Sequence, residues 1–270
     1  MTEYYNSEIV VEITRIATEM YRHGWDERNS GNISILLNED QLPENREPLR
    51  TIPLNFKISD KGRLAGKCFL VTGTGKYFKN MQYAPERDLG VIRISEDGHN
   101  AELLWGFSDG CRFTSELPAH LMGHISRMES DPENRVILHC HPSNILAMTF
   151  VHSLDEREFT RTLWQMCTES MIIFPDGIGV LPWMLCGTDE IGRATAQKLE
   201  RSRIVVWAQH GIYASGRDLD ETYGLIETAE KAAEVYLKIA HLPRLSTIND
   251  DQLRQIAKRF NVTPREEFLS

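Results

Sequence analysis

The chain has no CxxC pair, no surplus of positive charge, no internal repeat and no apolar run near the roughly 20 residues that cross a bilayer. Each absence excludes something. Its five cysteines (Cys68, Cys111, Cys140, Cys167 and Cys186) are odd in number and scattered. That argues against a disulfide framework and for a reducing compartment. The first residues, MTEYYNSEIV, contain neither a basic nor an apolar leader region, so a cytoplasmic location without a membrane partner is expected. A net charge of -9 disfavours a nucleic-acid partner, which needs a basic face, while leaving room for a local pocket that takes a small anion. No Gly/Ser linker divides the 270 residues, of which 41% are hydrophobic and 26% charged. One domain over residues 1–270 is expected.

Helical periodicity is present over residues 7–23, with Gly24 as the stop, and over 116–128, with Ser115 as the expected N-cap. It recurs over 189–200 after Thr188, over 220–240, and over 250–260, where Asn249 and Gln252 have capping-box spacing. Strands are expected at 33–37, 68–73, 90–94, 101–105, 135–140, 171–174, 178–182, 203–208 and 211–215. Several follow one another across gaps too short for a parallel crossover, so the sheet is expected to be mostly antiparallel and covered by helices. Residues 38–66, polar and holding Pro43, Pro48 and Pro53, read as a long surface excursion.

The richest segment is VILHCHPSN, residues 136–144. In a strand His139 and His141 share a face and Cys140 points away. Pro142 ends the strand there, so both rings sit at a strand end. Two imidazoles cannot hold a catalytic metal without a third ligand. His210, in VVWAQHGIYA, lies between two apolar runs and just before Gly211. Alone it reads as a turn histidine stacked on Trp207; beside the His-x-His pair it is the third ligand. Three neutral imidazoles with an open position suit a catalytic zinc ion, whereas structural zinc recruits thiolates. The other six histidines read as structural, His120 and His124 among them.

Three segments could meet an anion. In VTGTGKYFKN (71–80), Gly73 and Gly75 free the backbone and Thr74 adds a hydroxyl, although a plain hairpin turn explains the segment equally well. ERNSGNIS (27–34) offers Asn29, Gly31 and Asn32 before a strand. FTSELPAH (113–120) places Thr114 and Ser115 at a helix start. Glu116 there either complements the helix dipole or serves as an acid/base or a fourth, displaceable metal ligand. Glu169, in CTESMIIF, looks like a surface residue when taken alone.

In order, GWDERNSGNIS, VTGTGKYF, TSELPAH, HCHPSN, FPDGIGVLPW and QHGIYASG resemble the zinc-dependent class II aldolases of the aldolase/adducin fold, with a likeness running from about residue 8 to residue 265. The first of these motifs, the long insert and PDGIGVLPWMLCGTDEIG are most similar to members that cleave L-rhamnulose 1-phosphate. The resemblance implies a single-domain, three-layer α/β/α fold with a largely antiparallel central sheet. It implies one Zn2+ per subunit on His139, His141 and His210, with Glu116 and Glu169 as catalytic carboxylates. It places Asn29, Gly31, Asn32, Thr74, Gly75, Thr114 and Ser115 around the substrate phosphate, with Thr74 where a serine is more familiar. It implies a homotetramer acting on a small phosphorylated sugar by reversible retro-aldol cleavage. Fuculose-phosphate aldolases, pentulose-phosphate 4-epimerases and methylthioribulose-phosphate dehydratases share the three histidines. Non-catalytic adducin-like proteins share the fold without needing the ligands.

Overall fold

A computed structural model describes residues 4–56 and 61–269, so residues 57–60 of the expected excursion lie outside the described residues. Among the described residues nine strands form one sheet: β1 (Asn32–Leu36), β2 (Arg50–Pro53), β3 (Cys68–Thr72), β4 (Leu89–Ile94), β5 (Asn100–Gly106), β6 (Val136–Cys140), β7 (Ile178–Leu181), β8 (Ile204–Trp207) and β9 (Gly211–Gly216). Their order is β2-β5-β4-β3-β1-β6-β9-β8-β7. Every neighbouring pair is antiparallel except β7 with β8. The helices are α1 (Glu8–Arg22), α2 (Phe78–Met81), α3 (Pro85–Asp88), α4 (Leu117–Ser130), α5 (Ser143–Val151), α6 (Glu156–Met166), α7 (Thr168–Ile173), α8 (Asp189–Leu199), α9 (Leu219–Ile239) and α10 (Asp250–Phe260).

The sheet's alternation sorts the core into two sides. Ile204, Val206, Ile212 and Ala214 face a large cluster with α1, α5, α6 and α9. Val205, Trp207 and Tyr213 face the other way, onto α4 and α8 through Ala119, Ile191 and Leu199. The result is three layers, α/β/α. Thr188 caps α8 and Asp218 caps α9 by accepting backbone N–H groups, and Asn249 and Gln252 form the capping box of α10. His23 caps α1 and Gly24 follows at φ +74°, a left-handed turn that glycine takes without a steric cost.

Three expectations need correction. Residues 171–174 are not a strand: Met171 to Ile173 close α7, and Phe174 caps it. A four-residue apolar run has too little length to show a period. The cap of α4 is Glu116 instead of Ser115, and no side-chain hydrogen bond caps that helix. Pro118 near the helix start is compatible with the first turn because its missing N–H is not needed there. Within the excursion, Arg50–Pro53 form edge strand β2 on β5, a place that tolerates a proline.

Candidate metal centre

Strand pairing, antiparallel except between β7 and β8, brings five strand ends together. The start of β1 lies beside the end of β6, with Asn32 opposite His139, and His139 also lies opposite Tyr213 of β9. Trp207, at the end of β8, pairs with Gly211, and Leu181 ends β7 next to it. The third histidine hangs in the turn between β8 and β9, where Gln209 takes φ +56° and His210 N–H donates to the Trp207 carbonyl at 3.0 Å.

His139, His141 and His210 meet at that end, each offering a ligand atom within 4.8 Å of the others. Their ring centroids are 5.0–5.1 Å apart. Two rings are oriented by their Nδ1 atoms. His139 Nδ1 bonds the Ile212 carbonyl at 3.0 Å, and His141 Nδ1 bonds Glu27 Oε1 at 2.7 Å. Their Nε2 atoms are buried and lack hydrogen-bond partners among the described residues. A buried, unpartnered nitrogen is costly, and metal-binding imidazoles characteristically use one nitrogen for an orienting bond and leave the other for the ion. Burial, then repulsion from His141 and His210, keeps His139 neutral well below its ordinary range. Burial and His141 push His210 down to about 4. At neutral pH these rings present lone pairs, and the donor set fits a divalent cation.

Glu116 faces them. Its Oε2 lies 3.4 Å from His139 Nε2 and its Oε1 lies 3.8 Å from His210 Nε2. Asn32 Nδ2 and the Tyr213 hydroxyl each donate to Oε2 at 3.0 Å. Burial raises the carboxyl above its usual range, against the pull of these two donors. Tyr213 is itself clamped, stacked at 4.4 Å on both His139 and Trp207. Gly211 is required by closeness: a Cβ there would stand 2.5 Å from the Cys140 carbonyl oxygen and 2.7 Å from His141 Cδ2.

The segments expected to meet the phosphate converge on the same end. Ile33 N–H donates to Thr72 Oγ1 at 3.1 Å, and Thr114 N–H donates to the Thr72 carbonyl at 3.0 Å. Thr74 and Gly75 lie exposed just past β3, with Gly75 at φ +73°. Ser115 and Asn29 are exposed, whereas Thr114, Gly31 and Asn32 are buried. Gly31 N–H is taken by Asp26 Oδ1 at 2.7 Å. The amide of Asn32 is engaged with Glu116 and His120. Glu169 stands apart from this cluster. It accepts from the Cys167 thiol at 2.8 Å and lines a separate recess with His23, Trp25 and Asn144.

Sequence reading missed Glu27, Tyr213 and Cys186, the last grouped with Glu116 and His210 within 4.8 Å. A glutamate in a polar turn and a tyrosine inside an apolar strand give no periodic signal. Only the pairing of β6 with β9 and the fold of the 25–31 turn place them here.

Residues 11–237 match the model of the class II aldolase and adducin N-terminal domain. A rhamnulose-1-phosphate aldolase of Listeria monocytogenes is 53% identical over 265 residues, covering 97% of this chain and 96% of that protein. One of Enterococcus faecalis is also 53% identical, covering 96% and 94%. The solved structure of a sugar-phosphate aldolase from Thermotoga maritima superposes with a TM-score of 0.77 at 31% identity, covering 88% of this chain and 97% of that one.

Proposed function

The chain belongs to the class II aldolase and adducin family, and from that premise we propose that it is a zinc-dependent lyase cleaving L-rhamnulose 1-phosphate reversibly to dihydroxyacetone phosphate and L-lactaldehyde. The observation that carries this reading is the pair of buried Nε2 atoms of His139 and His141, without a hydrogen-bond partner among the described residues and aimed with His210 at a space that Glu116 also faces. The choice of substrate rests on the near full-length 53% identity to rhamnulose-1-phosphate aldolases.

Retro-aldol cleavage breaks C3–C4, leaves its electron pair on C3, next to the C2 carbonyl, and in net terms moves the C4 hydroxyl proton to C3. A bound zinc ion supplies Lewis-acid polarisation of substrate oxygen, which lowers the cost of that charge at neutral pH. The chain's own residues do the rest. Glu116, with its affinity for a proton raised by burial, delivers a proton to C3 in cleavage and removes it in the aldol direction. Asn32 and Tyr213 hold the carboxylate in place. Asn29, Thr74, Gly75, Thr114 and Ser115 orient the phosphate. Asn32 and Gly31 stand at the edge of that group, their polar atoms already engaged within the protein. Glu169 joins the chemistry only if assembly or substrate closure carries a carboxylate to a metal centre. A homotetramer would provide such an approach. The single continuous sheet supports reading residues 1–270 as one domain.

The test compares cleavage of L-rhamnulose 1-phosphate and L-fuculose 1-phosphate, coupled to detection of dihydroxyacetone phosphate, with and without chelator. Chelator-sensitive preference for the rhamnulose ester is expected. Zinc-loaded protein that cleaves neither ester would overturn the substrate and the reaction together, and would direct attention to epimerisation or dehydration.

A further inference from the structure

We propose that His120, backed by Ser34 and His124, is a positioning residue that fixes the orientation of the Asn32 amide and, through it, the Glu116 carboxylate. The side chains form one buried chain. His124 Nε2 lies 2.8 Å from Ser34 Oγ, and Ser34 Oγ lies 2.7 Å from His120 Nδ1. His120 Nε2 meets Asn32 Oδ1, and Asn32 Nδ2 donates to Glu116 Oε2 at 3.0 Å. Ser34, His120 and His124 are fully buried and Asn32 is 4% exposed, so these bonds are shielded from bulk solvent.

The direction of each bond follows from chemistry. A carboxylate only accepts, so the Asn32 NH2 must face Glu116 and its carbonyl oxygen must face His120. That oxygen only accepts, so His120 carries its proton on Nε2. Burial keeps both histidines neutral, His124 being pushed down to about 3. A neutral His120 leaves Nδ1 as an acceptor for the Ser34 hydroxyl proton. Ser34 Oγ then accepts from Nε2–H of His124. Every proton in the chain points toward Glu116. A flipped Asn32 would put its oxygen against the carboxylate and its NH2 against an N–H, so His120 makes the flip unfavourable at both ends.

The chain runs one way: at its far end His124 Nδ1 is buried with no hydrogen-bond partner among the described residues, and at its near end stands Glu116. The chain also leaves the metal ligands untouched, because it ends on an oxygen of Glu116 through a residue that lies opposite His139 but does not bond its ring. Asn32 is thereby given to the acid/base and not to the phosphate. This inference rests on the aldolase reading for what Glu116 does, but not for the chain's geometry.

Two measurements test it. In zinc-loaded enzyme, His120→Phe keeps ring volume and removes the donor, whereas His120→Gln restores an N–H near the position of Nε2. His120→Phe is expected to lower kcat about 10- to 100-fold, with KM and zinc content little changed, and His120→Gln to recover most of the loss. Separately, 15N-histidine spectra of the wild-type enzyme are expected to show His120 and His124 as neutral Nε2–H tautomers, assigned by their loss in the respective Gln variants. A Nδ1–H tautomer at His120, an unimpaired Phe variant, or Phe and Gln variants equally impaired would each overturn the proposal. Should wild-type protein cleave no ketose phosphate, the aldolase reading falls and the tautomers still decide this one. Should His120→Phe fail to fold, they decide it too.

Discussion

At His141 the two ring nitrogens have different work. Nδ1 is held by Glu27, whose carboxyl burial alone would raise but which the hydrogen bond to His141 draws below its usual range. Nε2 has no hydrogen-bond partner among the described residues and keeps its lone pair for a metal ion. His141→Ala is therefore expected to lose zinc and activity together, measured by metal content and by the coupled assay. Glu27→Gln keeps the shape but weakens the orienting bond, so zinc affinity should fall about 10- to 100-fold in a competition titration with a chelator. Glu116→Ala should retain zinc and lose most turnover, because three imidazoles still hold the ion while no base remains to handle the C3 proton. If purified His141→Ala protein still cleaved substrate at the wild-type rate, the metal assignment would be wrong. Of these residues, the histidines were legible because a two-residue spacing at a strand end has a fixed geometric meaning. Glu27 and Tyr213 were not, because their roles depend on which strands pair.

Strands and turns set the tolerance of the centre. Gly211 opens β9 against the carbonyl of Cys140, and backbone cannot move aside as a flexible side chain can. Gly211→Ala should leave the far end of the sheet intact, since Val136 to Leu138 remain paired with β9, while displacing His139 and His141. The expected result is a folded protein by circular dichroism with strongly reduced zinc occupancy; full occupancy would show that the turn has more room than its contacts indicate. The amphipathic and capped helices α1, α8, α9 and α10 were readable because their period and end signals are local. α6 carried an Asp155 cap and was overlooked. α5 lacks a polar face to give it a period, and α7 is too short to have one. β2 was hidden in a proline-bearing polar stretch because an edge strand needs only one partner and little apolar surface.

For the whole molecule, the buried titratable groups predict how stability responds to acid. His120, His124, His139 and His210 all have folded-state pKa values below the ordinary 6.5. The unfolded chain binds protons at these positions first, so their stabilising contribution is full above about 6.5 and is lost as pH falls. Asp26 runs the other way: burial raises its carboxyl to about 6 despite N–H bonds from Gly31 and Phe78. Its contribution is present below the ordinary carboxylate range and lost as pH rises through about 6. Glu116, also raised by burial, has the same sign. Four lowered histidines outnumber two raised carboxyls, so unfolding takes up protons on balance between about pH 6 and 4.5, and stability is expected to fall as the pH falls through that range. Urea unfolding of the metal-free protein across that range measures it. Stability that stayed flat would mean the histidines are not buried neutral. Bound zinc should extend the stable range downward, because protons and the ion compete for the same nitrogens.

The order of motifs along the chain, the His-x-His pair, the local helix signals and the antiparallel bias of short connections are properties of neighbouring residues, and the sequence by itself determined them. Which strands lie side by side is set by distant apolar faces finding one another. Only the tertiary structure decided that Asn32 would stand opposite His139, that Tyr213 would reach Glu116, and that His120 and His124 would enter a polar chain instead of simply filling space. Local periodicity can say that a residue is buried. Its partners depend on the register between strands far apart in sequence, and that register is settled when the whole sheet packs at once.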